Sequence, residues 1–123
     1  MDNFQIEKND RYTVIRVKVE KLDTNVAPSL KSELVILNTE GVKNIVIDLS
    51  ETRYCDSSGL SAILVGNRLC KNSNGSFVIC NLQDSVKKLV SISQLDTIIN
   101  IALSFKEAAD MVLSAGVEKD DQD

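Results

Sequence analysis

Two short runs of β-branched apolar residues, "VKNIVIDL" at 42–49 and "SFVIC" at 76–80, bracket a stretch with helical periodicity that begins at Ser57 or Ser58 and runs to Asn72. Apolar residues at consecutive positions, rather than alternate ones, suit a strand covered on both faces of a sheet. A strand, a helix and a strand in this order form a βαβ unit, whose crossover is expected to be right-handed. Asn74-Gly75 supplies the turn into the second strand. This unit places the chain in the α/β class.

The flanking segments extend the unit. "FQIE" and "TVIRVKVE" alternate apolar and polar residues about the polar centre Lys8-Asn9-Asp10-Arg11. They predict an N-terminal hairpin with Ile15, Val17 and Val19 on one face, Val14, Arg16 and Lys18 on the other, and one of the two faces buried. In "TNVAPSLKSELVILNTEG", Thr24 or Asn25 is a candidate N-cap and Pro28 sits in the first turn. Leu30, Leu34 and Leu37 recur at helical spacing, and Gly41 is a suitable stop. "DSVKKLVSI" predicts a short helix burying Val86, Leu89 and Val90, "TIIN" a final strand, and "SFKEAADMVLSAG" a helix with a capping box at Ser104 and Glu107 that ends at Gly116. The expected architecture is one α/β domain over residues 1–116, with a mixed sheet of about five strands and about four helices. Residues 117–123 form an acidic tail expected to fray.

Several functional classes are disfavoured. The chain has 123 residues, 43% of them apolar, which suits one domain with a real core. Its longest apolar runs fall far below the roughly 18 residues of a membrane span, and the polar N-terminus does not read as a secretion signal, so the expected location is the cytoplasm. The net charge is −4, of which the last six residues supply −3. A nearly neutral body argues against a nucleic-acid binder. Cys55, Cys70 and Cys80 read as buried free thiols, because no Cys-x-x-Cys spacing and no histidine complete a metal site. The absence of histidine also removes the usual general base, and no catalytic residue and no cofactor are expected.

The most informative stretch is "RYCDSSGLSAIL" at 53–64. Asp56, Ser57 and Ser58 are each competent to cap the following helix. A nucleophile elbow is excluded, since no glycine stands two residues before either serine, and neither a P-loop nor a dinucleotide fingerprint is present. A helix N-terminus does accommodate a phosphate, so a serine there can be phosphorylated without unfolding the domain. On the helix itself, Leu60, Ile63, Leu64 and Cys70 fall on one side, with Ala62, Val65 and Leu69 nearly opposite. That second stripe either packs against a neighbouring helix or meets a partner.

Taken with its flanks, "NIVIDLSETRYCDSSGLSAIL" resembles the STAS domain of bacterial anti-sigma factor antagonists, in which a strand ends in a short loop and Asp-Ser-Ser/Thr-Gly-Leu opens a helix. The resemblance extends to the hairpin, to "KLDTNVAPSLKSEL", to the Asn74-Gly75 turn and to "SVKKLVSISQLDTIINI". It implies that Ser57 is the phosphoacceptor, with Asp56, Ser58 and Gly59 as the surrounding motif and Asp23 as the acid near the phosphorylated helix end. Asp23, Thr24, Asn25, Ala62, Val65 and Leu69 become the candidate partner surface. The implied partners are an anti-sigma factor with serine kinase activity and a serine phosphatase, with no nucleic acid and no membrane, for a protein that is a monomer or weak dimer and a substrate rather than an enzyme. The unphosphorylated form would bind the anti-sigma factor and release a sigma factor. Other roles of a STAS domain are a subunit that binds the ATPase of a lipid ABC transporter and a scaffold in a stress-signalling assembly. Two departures stand out: Glu20 occupies the place of a frequent glycine, and Cys55 that of a bulkier apolar residue.

Overall fold

In the computed structural model, which describes residues 3–121, the two apolar runs lie side by side as parallel strands. They are β4 (Asn44–Asp48) and β6 (Ser76–Cys80), with Ile45 opposite Phe77 and Ile47 opposite Ile79. The N-terminal hairpin adds β1 (Phe4–Lys8) and β2 (Thr13–Val17), antiparallel to each other, and β2 runs parallel to β4. With β7 (Asn100–Ala102) beside β6, the five-stranded sheet has the order β1-β2-β4-β6-β7. A second, two-stranded sheet pairs β3 (Lys21–Leu22) with β5 (Tyr54–Cys55).

Four helices cover the large sheet. Leu30, Leu34 and Leu37 of α1 (Ala27–Thr39), Ile63 and Cys70 of α2 (Ser57–Asn72) and Val86 and Val90 of α3 (Asp84–Ile92) join Ile15, Ile45, Ile47, Phe77 and Ile79 in one apolar layer. On the opposite face, Val14, Val46 and Val78 meet Ala108 and Val112 of α4 (Phe105–Asp121). The consecutive apolar residues of β4 therefore divide between two cores, Ile45 and Ile47 to one and Val46 to the other. Each such burial is worth roughly 1.5–3 kcal/mol.

The fold differs from the sequence expectation at five points. Both faces of β2 are covered, with Val14 as well as Ile15 and Val17 buried, because β2 is an interior strand and β1 takes the edge. The N-cap of α1 is Val26, not Thr24 or Asn25. An Asp23-centred turn delivers the chain instead: its carboxylate accepts the Asn25 N–H at 3.0 Å and its carbonyl the N–H groups of Val26 and Ala27. "TIIN" splits into a 3-10 turn at Leu95–Thr97 and a strand that starts only at Asn100, after Gln94 takes a left-handed conformation. The capping box is displaced: Ser104 accepts the Glu107 N–H, while Glu107 reaches the N–H of Leu103 rather than that of Ser104. Finally, α4 continues past Gly116 to Asp121, so the proposed tail overlaps the helix, and its last two residues lie outside the described ones. Gly41, by contrast, ends α1 as expected. With φ of +91° it forms a Schellman turn in which Val42 N–H reaches Leu37 O and Gly41 N–H reaches Asn38 O.

Candidate functional site at the paired N-termini of α1 and α2

The small β3–β5 sheet brings two helix starts together. Leu22 pairs with Cys55, and one residue later each chain turns, through Asp23 toward α1 and through Asp56 into α2. No glycine is needed at position 20. The Glu20 carbonyl accepts the N–H groups of both Arg53 and Tyr54, at 2.8 and 3.0 Å, and Thr52 donates its hydroxyl to the carbonyl of Val19. The loop before α2 is thereby tied to the end of the hairpin.

Among the three candidate caps, the structure uses Asp56. Its backbone is extended and its Oδ1 accepts the Gly59 N–H at 3.0 Å, while the Thr24 hydroxyl lies 3.5 Å from Oδ2. Ser57 is the first residue of the helix and is exposed; its hydroxyl has no hydrogen bond among the described residues. Ser58 is half-buried. Gly59 is required by close approach: a Cβ there would stand 2.4 Å from the Leu22 carbonyl oxygen and 2.6 Å from Cys55 Sγ. Cys55 thus fits under the first turn of α2 where a larger residue would meet the helix. Burial, reinforced by the charge of Asp56, pushes its thiol up to about 12, so it stays protonated and unreactive near neutral pH.

A shallow groove of about 270 Å³ runs between the two helices. Thr24, Pro28 and Lys31 form one wall, and Ser57, Ser58 and Ser61 the other. Asp23 is half-buried at the head of this region, and Thr24 and Asn25 are exposed. Tyr54, just before the motif, is also exposed.

The family model for the STAS domain matches residues 3–108. The chain belongs to the STAS domain family. Among STAS relatives, the BtrV protein of Bordetella bronchiseptica is 30% identical over 83 residues, covering 68% of this chain and 72% of that one. The anti-sigma-B factor antagonist of Bacillus subtilis is 29% identical over 100 residues, covering 81% of this chain and 90% of the relative. The phosphorylated form of the Bacillus cell-fate determinant SpoIIAA superposes with a TM-score of 0.69 at 24% identity, over 89% of this chain and 98% of that one. This last likeness concerns the fold.

Within the STAS fold the candidate partner residues separate. Asp23, Thr24 and Asn25 lie at the same end of the domain as Ser57. Ala62 does not reach the surface: it is fully buried in the main core, on the helix that packs along α1. Val65 and Leu69, one and two turns further along, are half-buried, and Leu69 packs against the main core. The stripe that the helical wheel sets opposite Leu60 and Ile63 is therefore mostly an intramolecular contact. Sequence reasoning missed Lys31 and Ser61 of the groove. Lys31 follows the core residue Leu30 and reads as an ordinary solvated lysine until α1 and α2 are laid together.

Proposed function

We propose that this STAS domain is an anti-sigma factor antagonist that acts by partner switching, with Ser57 as its phosphoacceptor. The observation that carries this reading is the division of labour at the start of α2: a carboxylate caps the helix, and the exposed hydroxyl beside it has no structural duty. A protein kinase can present ATP to that hydroxyl. The Ser57 oxygen forms a bond to the γ-phosphorus, the bond from that phosphorus to ADP breaks, and the hydroxyl proton passes to a base on the kinase. The added charge of about −1.5 to −2 sits beside Asp56 and Asp23 and repels a partner surface that accepts the uncharged form. The unphosphorylated domain binds an anti-sigma factor with serine kinase activity and so releases a sigma factor; a serine phosphatase restores it. The contact surface is formed by Asp23, Thr24, Asn25 and the exposed parts of Val65 and Leu69. The protein is a substrate rather than an enzyme and works in the cytoplasm as a monomer or weak dimer. Among the described residues, no helix is long and apolar enough to cross a membrane.

The test is a paired capture from native cell lysate with Ser57→Ala and Ser57→Asp as baits, identified by mass spectrometry. Retention of a small ATP-binding serine kinase by the alanine form alone is the expected result. Retention of the same transporter ATPase by both forms overturns the proposal.

A further inference from the structure

Lys31 stands out in the groove as the one charged side chain among the residues that line it. Asp56 precedes α2 and Asp23 precedes α1, and Lys31 is the cation among the residues that line the space between the helices. It is half-buried, yet it forms no ion pair among the described residues, whereas Lys8, Lys18 and Lys106 each do. Helical side chains lean toward the N-terminus of their own helix, which directs Lys31 back along α1 toward the end where Ser57 lies. Ser57 and Ser61 are four residues apart on one face of α2 and share the opposite wall.

A phosphate on Ser57 enters this setting as a dianion beside Asp56. The free N–H groups of the first turn offset part of its charge, but one of them, that of Gly59, is already committed to Asp56. We infer that Lys31 is the residue that receives the phosphate of modified Ser57, forming an ion pair across the α1–α2 groove. This rests on the proposed role of Ser57. In the unmodified domain Lys31 offers an unengaged ammonium in the groove; in the modified domain it is engaged, and the surface a partner meets has both gained an anion and lost a free ammonium. Lys31 is a positioning residue here, since it holds the modified group and takes no part in the transfer.

The experiment installs phosphoserine at position 57 of the full chain by codon-directed incorporation, so that no kinase is required. The second ionisation of the phosphate is followed by phosphorus NMR across pH 4–8, in the parent and in Lys31→Gln and Lys31→Arg backgrounds. The paired cation favours the dianion, so the parent is expected to titrate about half a pH unit below Lys31→Gln. Lys31→Arg should restore the lower value, and 0.5 M salt should narrow the gap. Melting of the unmodified Lys31→Gln domain serves as the control for folding and should match the parent. Identical titrations in parent and Lys31→Gln overturn the role of Lys31 and leave that of Ser57 untouched. Conversely, phosphopeptide mapping of the chain from its own cells that never finds phosphate on Ser57 overturns the proposed function, whatever the titrations give.

Discussion

The two faces of the large sheet are held in different ways. Toward α1, α2 and α3 lies a continuous apolar layer built on Leu30, Leu34, Ile63, Phe77 and Ile79, all at most 2% exposed. Toward α4 the layer is thinner, made mostly of valine and alanine, and a polar cluster borders it. There Asp48, buried, accepts the Ser50 N–H at 2.9 Å and the Asn81 side-chain amide at 3.3 Å, with Arg16 Nε 3.7 Å away. Arg16 also pairs with Glu7 and stacks 5.4 Å over the ring of Phe105, the first residue of α4. The paired helix starts that carry Ser57 therefore rest on the larger core, whereas α4 is attached by fewer apolar groups. If Ser57 is the switch proposed above, a site that changes its surface without changing its shape belongs on the first kind of support.

The sharpest way to break this comparison is to truncate one fully buried apolar side chain on each face. Leu34→Ala should cost about 3–4 kcal/mol in urea unfolding and Val112→Ala about 2 kcal/mol. Equal losses would mean that α4 is as firmly held as α1. Gly59→Ala probes the support of the site itself. Its new methyl group meets a backbone carbonyl, which cannot rotate away, and a loss of about 2 kcal/mol is expected by the same assay. Asp56→Ala removes the cap and should cost about 1 kcal/mol, whereas Ser57→Ala and Ser57→Asp should each fall within about 0.5 kcal/mol of the parent. If Ser57→Ala instead costs as much as Asp56→Ala, the hydroxyl shares the capping role.

A gentler probe uses the thiols, because Cys55 belongs to the larger core and Cys80 to the α4 side. Burial pushes both up to about 12 from 9.0, with Asp56 and Asp48 respectively adding to the rise. The unfolded chain thus releases these protons first. The stability they carry is complete below pH 9.0 and is lost as pH rises toward 12. At pH 8, labelling of either thiol requires local opening. In variants that retain one thiol each, Cys80 should react faster than Cys55 with a disulfide reagent; the reverse order would place the weaker attachment at the site.

The central strands were legible because β-branched runs buried on both faces leave an unmistakable pattern, and α1 because Leu30, Leu34 and Leu37 repeat at helical spacing before a glycine stop. The choice among Asp56, Ser57 and Ser58 was not, since all three satisfy the local rules and the winner depends on where β5 releases the chain. That release point is set by pairing with β3, and strands of two residues are too short to show a period. The helical wheel of α2 located a second apolar stripe correctly but was silent on its cover, so Ala62 looked as available as Val65. Lys31 was invisible for a related reason: its significance comes from an interhelical groove, and no local pattern encodes which residues of two helices face each other.

The cap on Asp56 has a consequence for how such a chain drifts over generations. Because the helix start is secured one residue earlier, position 57 is released from the demands of folding, and exchanges there among small polar residues pass unnoticed by stability. What selection sees at this position is only what another molecule reads from the surface. On the proposed role of Ser57, a lineage can therefore lose, regain or fix one state of the signal by a single codon change, without first repairing the fold.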